Sequence, residues 1–244
     1  EKIEQITDKE SETGGSIILP ATAEGVSVTL RNTAFTYPNA DTPVFSNISF
    51  GAAANEKICI HGDEGAGKST LLRLLAGSYD HFEGAILIND IPVKNYDLGS
   101  LRLRTGVVLN QQDIFEGTLM ENISVGLENA SMQEIQSLCN KTGLTEYIST
   151  LKTGFDTPLS ATGRKLPGHA VKKILLVRAL LNKPKLLLLE EPWNGLEEQY
   201  QKQIKQLLLT EMNNTTVFVI TNDGDFAKAC DKTIVLTKDG CSII

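Results

Sequence analysis

The sequence predicts an α/β domain with a parallel sheet covered on both faces, and three observations carry that expectation. Residues 62–69 read Gly62, Asp63, Glu64, Gly65, Ala66, Gly67, Lys68, Ser69, the pattern G-x-x-x-x-G-K-S. A short strand at 57–60 precedes this loop, and a stretch with helical spacing at 69–77 follows it. Further on, apolar runs at 107–109, 186–189 and 217–220, with a weaker fourth at 234–236, alternate with helical segments, as strands of a buried parallel sheet do.

Residues 1–25 are charged, then rich in Gly and Ser, without period, and read as a linker or disordered lead-in. Val26, Val28 and Leu30 alternate with polar residues, the pattern of a half-exposed antiparallel strand. Two more strand pieces fall within 48–60. Another spans 85–88, with a turn at Asn89 and Asp90. Leu71, Leu72, Leu74 and Leu75 give the helix after the loop an apolar face, and Gly77 stops it. Residues 131–150 and 171–181 have helical spacing, so 113–165 reads as an inserted, mostly helical lobe. Near the end, Asp239 and Gly240 mark a hairpin turn. Glu1 is not an initiator methionine and the hairpin breaks off at Ile244, so the chain is expected to be a piece of a longer protein.

With 244 residues, 41% hydrophobic and 22% charged, there is ample material for one large domain or two small lobes. A net charge of −7 without a Lys/Arg cluster argues against a nucleic-acid partner. Cys59, Cys139, Cys230 and Cys241 are scattered without metal-ligand spacing, which favours reduced thiols in a cytosolic setting. No apolar run approaches the ~18 residues of a membrane span. The run at 174–181 is interrupted by Arg178, and no signal peptide is visible.

The chemistry of the loop follows from its residue types. Glycines let backbone N–H groups turn inward around a polyphosphate, the lysine reaches the β- and γ-phosphates, and the serine hydroxyl ligates Mg²⁺. The helix N-terminus behind it adds positive partial charge. The alternative, a plain Gly-rich turn, does not account for the strand before it and the helix after it. The run 186–192 reads L-L-L-L-E-E-P and ends in two carboxylates, Glu190 and Glu191. Alone they would pass for a solvated strand end; beside a phosphate loop they suggest a metal contact and a general base.

On these residues, from about Val26 to the C-terminus, the chain resembles the nucleotide-binding domain of an ATP-binding-cassette (ABC) transporter of the exporter type. Phe35, Thr36 and Tyr37 match the segment whose aromatic ring stacks on adenine, and 62–70, through Thr70, is the phosphate loop. L-L-L-L-E-E-P matches the second acidic motif. F-E-G-T-L-M-E-N-I at 115–123 resembles an exporter-specific stretch, and 155–158 the lead-in to the signature loop. The resemblance implies a P-loop NTPase fold with a RecA-like core, an N-terminal antiparallel β subdomain and an inserted α-helical subdomain at about 113–178. It implies that 1–25 links from a preceding membrane domain and that 26–244 is the nucleotide-binding domain. Implied roles are ATP contacts from Tyr37, 62–70, Pro167, Gly168 and His169; Mg²⁺ contacts from Ser69, Asn110 and Glu190; and catalytic roles for Glu191 and Asn222.

The departures from the family pattern are as informative. Where the signature loop is normally L-S-G-G-Q, this chain has Leu166, Pro167, Gly168, His169 and Ala170. Proline removes a hydroxyl and an N–H, and histidine puts a side chain where close backbone approach is wanted. The glutamine that senses Mg²⁺ falls on Asn110, with Gln111 as a substitute one residue on. The metal-linked aspartate is Glu190 and the γ-phosphate histidine is Asn222. The S-A-L-D loop is Asn194, Gly195, Leu196, Glu197, and the V-G-E-R-G segment is 159–163 without its glutamate. The resemblance therefore implies an ATP-binding cassette of low turnover that powers or regulates an exporter. Its partners would be a second such domain, identical or different, and a transmembrane domain, at the cytoplasmic face of the cell membrane. A degenerate regulatory module and a soluble non-transport cassette remain open readings; a nucleotide kinase is weaker, since nothing resembles an acceptor-binding lid.

Overall fold

The apolar runs lie side by side in one six-stranded sheet. A computed structural model describes residues 14–20, 24–110, 114–125, 127, 130–160 and 166–244. In chain order the first half holds β1 (Val28–Phe35), β2 (Phe45–Ala52), β3 (Lys57–His61), α1 (Lys68–Leu75), β4 (Glu83–Ile88), β5 (Ile91–Pro92), α2 (Leu98–Arg104) and β6 (Thr105–Val108). A lobe follows, with β7 (Gly117–Thr118), α3 (Leu119–Ile123), α4 (Met132–Thr142), α5 (Leu144–Ser149) and β8 (Pro158–Leu159). The remainder holds α6 (Gly168–Leu181), β9 (Leu186–Glu190), α7 (Glu198–Gln206) with a π-helical turn at Leu207–Glu211, β10 (Thr216–Ile220), α8 (Gly224–Ala229), β11 (Lys232–Leu236) and β12 (Cys241–Ile243).

The large sheet has the order β12-β11-β3-β10-β9-β6, and only the β11–β12 pair is antiparallel. Its strands read as continuous apolar runs because both faces are covered. Side chains alternate strictly: Leu186, Leu188, Phe218 and Ile220 enter one core cluster with α1 and the antiparallel sheet. Leu187, Leu189, Val217 and Val219 enter the other, with Trp193 and Phe226. The smaller sheet is antiparallel, of order β2-β1-β4-β5, and its β4–β5 hairpin turns at Asn89 and Asp90 with φ 48° and 61°. Two consecutive left-handed residues are what a two-residue hairpin of this type requires.

α6 joins the core to the lobe. Leu175, Leu176, Ala179 and Leu180 pack with the sheet, while Ile174, Val177 and Leu181 pack with Leu119, Ile123, Ile135 and Leu144 of the lobe. A helix buried on both sides is apolar all round. Arg178 is its polar link. Nε donates to the Asn122 carbonyl at 2.6 Å and Nη2 to Asn122 Oδ1 at 2.9 Å, and the guanidinium lies 5.6 Å from the Phe115 ring. Asn122 is fully buried and also donates to the carbonyls of Phe115 and Thr118. Thr118 and Glu121 form a capping box at the start of α3. The F-E-G-T-L-M-E-N-I stretch is thus a turn and short helix locked onto α6.

Two expectations need correction. The lead-in is not structureless throughout: Leu19 is 2% exposed in the core. Ile17 N–H donates to the Asn95 carbonyl, Asp97 N–H to the Ile17 carbonyl and Leu19 N–H to Ser100 Oγ. Burial of isolated apolar residues in a Gly/Ser-rich stretch has no period to reveal it. Residues 131–150 form two helices, broken at Gly143 (φ 75°), where a Cβ would meet the Tyr200 ring at 2.5 Å. The lobe is mostly helical, as expected, with one short antiparallel pair, β7–β8. Residues 1–13 of the expected linker, Gln111 and the 161–163 part of the V-G-E-R-G segment lie outside the described residues.

Replacing Asn122 with Ala leaves the Arg178 guanidinium without its side-chain acceptor and two carbonyls without their donor. A loss of about 1–3 kcal/mol in urea-unfolding free energy is expected. An unchanged midpoint and slope would show that this lock contributes nothing.

Candidate functional site

The parallel register places the site. Ile220 of β10 lies opposite Ile60 of β3 and opposite Glu190 of β9, while Val108 of β6 lies opposite Leu189. The residues just beyond these strand ends, 62–69, Asn110, Glu191 and Asn222, therefore emerge at one edge of the sheet. The C-terminal edge of a parallel sheet is where ligands bind in open α/β folds.

The loop needs its glycines. Gly62 (φ 144°) would bring a Cβ to 2.2 Å from the Leu236 carbonyl oxygen, and Gly67 (φ 86°) one to 2.6 Å from the Phe45 ring. Asp63, Glu64 and Gly65 are exposed, whereas Ala66 is buried beneath them. Gly67 caps α1, and Lys68, Ser69 and Thr70 form its first turn. Lys68 Nζ donates to the carbonyls of Gly62 (2.6 Å) and Asp63 (2.7 Å), so the ammonium lies folded over the loop.

Ser69 Oγ donates to Glu190 Oε1 at 2.6 Å, and the backbone N–H of Asn110 donates to Glu190 Oε2 at 3.0 Å. Glu190 is 8% exposed, so these two bonds offset the cost of burying its charge. Hydroxyl and carboxylate oxygens fit a magnesium ion, which takes one or two protein carboxylates and leaves other positions to phosphate and water. No cluster of three or more His, Cys, Asp or Glu that could hold a metal occurs among the described residues.

Glu191 follows at φ 43°, a left-handed conformation unusual for a residue with a side chain. Its N–H donates to the Ile220 carbonyl at 2.8 Å and its Oε2 accepts from Thr221 Oγ1 at 3.3 Å. Its carbonyl accepts from Asn194 N–H and from Lys172 Nζ. Burial pulls the Lys172 ammonium below the usual lysine range, against the opposing pull of Glu191 and then Glu190. Asn222 is exposed between Thr221 and Asp223. Asp223 caps α8, accepting from Phe226 N–H at 2.9 Å, and pairs with Lys205. Burial pushes the Asp223 carboxyl up, but Lys205 and the Phe226 N–H hold it below the usual range.

The remaining expected residues fall into two groups. Tyr37 is beside the loop: its hydroxyl shares a hydrogen bond with Thr70 Oγ1 at 2.8 Å, and its ring meets Phe35 and Tyr79 edge-on. Pro167, Gly168 and His169 are exposed at the start of α6 and are not brought to the loop by any hydrogen bond among the described residues. Pro167 caps that helix with φ −60° and its carbonyl accepts from Ala170 N–H at 2.9 Å. Lys172 and Thr221, which hold Glu191, escaped the sequence reading. No spacing rule marks a lysine that reaches a backbone carbonyl on another element.

A family model described as ABC transporter matches residues 45–194. The chain belongs to the ABC transporter family. The glutathione/L-cysteine transport system ATP-binding/permease protein CydC of Escherichia coli K12 is 33% identical over 221 residues, which cover 91% of this chain and 38% of that protein. The ATP-dependent lipid A-core flippase of Chromobacterium violaceum is 30% identical over 222 residues, 91% of this chain and 38% of that one. The solved structure of a bacterial Atm1-family ABC exporter with ATP bound matches with a TM-score of 0.87 at 27% identity, covering 99% of this chain and 42% of the other. The chain spans less than half the length of each of these relatives. It is an ATP-binding domain of the exporter type.

Cys59 lies on β3, immediately before the loop, and burial pushes its thiol up to about 12, with Asp223 and Glu191 adding to the shift. At pH 8 its thiolate fraction is then about one part in 10⁴. Peptide mapping after iodoacetamide at pH 8 is expected to find Cys59 unmodified in the native protein and modified in denaturant. Rapid native labelling would contradict the buried placement.

Proposed function

We propose that the chain binds Mg-ATP at this sheet edge and hydrolyses it slowly, powering or regulating an exporter from the cytoplasmic face of a membrane. The observation that carries this reading is the contact of Ser69 with Glu190 beside an intact phosphate loop, at the edge from which Glu191 also emerges. Lys68 and the loop amides would hold the phosphates and Tyr37 the base. Ser69 and Glu190, with Asn110, would hold Mg²⁺, which neutralises charge on the transferring phosphate. Glu191 would accept a proton from the attacking water. Asn222 can donate a hydrogen bond but cannot carry the positive charge of a histidine.

In this reading a second nucleotide-binding domain, identical or different, completes the site, and a transmembrane domain reads the cargo. Relatives named as transporters and flippases support an exporter, though their named cargoes belong to them. Low turnover follows from either pairing. Two copies would combine Asn222 on one side with Pro167, His169 and Ala170 on the other. An intact partner would supply a good signature loop to this chain's site but receive the altered one at its own. Loss of one preorganised donor typically costs about 2.7–4 kcal/mol, roughly 100- to 1000-fold in rate.

Two measurements test this. Calorimetry with Mg-ATP is expected to show binding that Lys68→Ala removes; equal affinity in that variant would reject the site. Steady-state hydrolysis by the complete transporter is expected well below an ordinary enzyme rate of about ten per second. In a homodimeric setting the combination Pro167→Ser, His169→Gly and Ala170→Gln should raise it. An ordinary rate in the unmodified protein would show that the departures carry no penalty.

A further inference from the structure

Consecutive lysines of α6 grip the segment from Glu191 to Glu197 at its two ends. Lys173 is 2% exposed; its Nζ pairs with Glu197 Oε2 at 2.9 Å and stands 4.5 Å from the Tyr200 ring. Lys172 takes the other end, donating to the carbonyl of Glu191 at 2.8 Å and of Asn194 at 3.1 Å. The first of these acceptors belongs to a residue at φ 43°. A side-chain-bearing residue in that region costs about 1–3 kcal/mol and persists only where its surroundings over-determine it. Here the surroundings are three hydrogen bonds on one peptide unit and its neighbour: Glu191 N–H to Ile220, and Asn194 N–H and Lys172 Nζ to the Glu191 carbonyl. Two come from the segment itself and the strand beside it. The third alone comes from another helix, the one whose exposed first turn carries Gly168 and His169 after the Pro167 cap.

We propose that Lys172 is a positioning residue for ATP hydrolysis: by holding the Glu191 carbonyl from α6, it fixes the direction in which the Glu191 carboxylate meets the attacking water. The inference rests on the reading of Glu191 as general base. It has a second consequence. The helix whose N-terminal turn faces a partner domain in that reading is the helix that holds this chain's own base. A displacement of α6 on pairing is then felt at Glu191 through one ammonium, without any contact between the two nucleotide sites. Both hydrogen bonds of Lys172 go to backbone carbonyls of the 191–194 segment, so its removal is expected to act on the chemical step and leave ATP affinity alone.

The test compares Lys172→Met, Lys172→Arg and Glu191→Gln in the complete transporter, reading ATP affinity, melting temperature and single-turnover hydrolysis separately. Lys172→Met is expected to slow hydrolysis about 10- to 100-fold, the scale of a misplaced catalytic group. Its ATP affinity should match the parent, and its melting temperature should fall only slightly, because the Glu191 carbonyl keeps the Asn194 N–H. Lys172→Arg, which keeps donors for two carbonyls, should recover most of the rate. A parental rate in Lys172→Met with hydrolysis lost in Glu191→Gln overturns the positioning role alone. So does a Lys172→Met protein that loses affinity and melting temperature together with rate, or an arginine that rescues nothing. A parental rate in Glu191→Gln instead removes the base assignment and the inference with it.

Discussion

The in-register parallel pairing of β3, β10 and β9 is the constraint on which the rest of the site depends. Because Ile220 pairs with both Ile60 and Glu190, three unrelated stretches leave the sheet at the same level. A one-residue slip of β9 would turn Leu187 and Leu189 to the opposite core and carry Glu190 away from Ser69. The apolar alternation that fills two separate cores is therefore also what aligns hydroxyl and carboxylate to 2.6 Å. Packing sets the register, and the register sets the chemistry.

The site's polar groups are buried enough to need one another. Glu190 is satisfied by a hydroxyl and a backbone amide, and Glu191 is held by its backbone as well as its side chain. Buried polar groups left unpaired cost about 1–3 kcal/mol each, so the loop, the β9 end and the start of the β6 exit hold each other in place before any ligand arrives. Lys68 follows the same logic at lower cost, resting on two loop carbonyls that a phosphate would compete with for its charge.

What could be read from the chain alone divides along physical lines. The phosphate loop, the apolar strands and the turn at Asn89 and Asp90 were legible because each rests on local rules: a glycine conformation, a period, a turn type. The lead-in's Leu19, the break at Gly143 and the short helices at Leu98–Arg104 and Gly224–Ala229 were not. Leu19 is buried by partners some eighty residues away, and Gly143 by the Tyr200 ring. The two helices begin at Asp97 and Asp223 caps, a weak signal without a long apolar period behind it. In the site, Glu190 and Glu191 were legible as a pair, whereas the lysine and threonine that hold Glu191 reach it only through tertiary structure.

The family departures are not equivalent once geometry is considered. At position 110 the contact with Glu190 uses the backbone N–H, which any residue but proline provides, so asparagine in place of glutamine leaves it untouched. At position 190 the longer glutamate still meets Ser69 at 2.6 Å, so the added methylene is absorbed within the carboxylate's own reach. At position 222 the asparagine side chain is exposed, and it cannot carry the positive charge of a histidine. At Pro167 and His169 the change falls where a partner's nucleotide would be met in a paired arrangement, and nothing within this chain can restore a lost N–H there. The changes at 110 and 190 thus keep their contacts within this chain, whereas those at 167, 169 and 222 fall at exposed positions, and of these only 167 and 169 would face a partner's nucleotide.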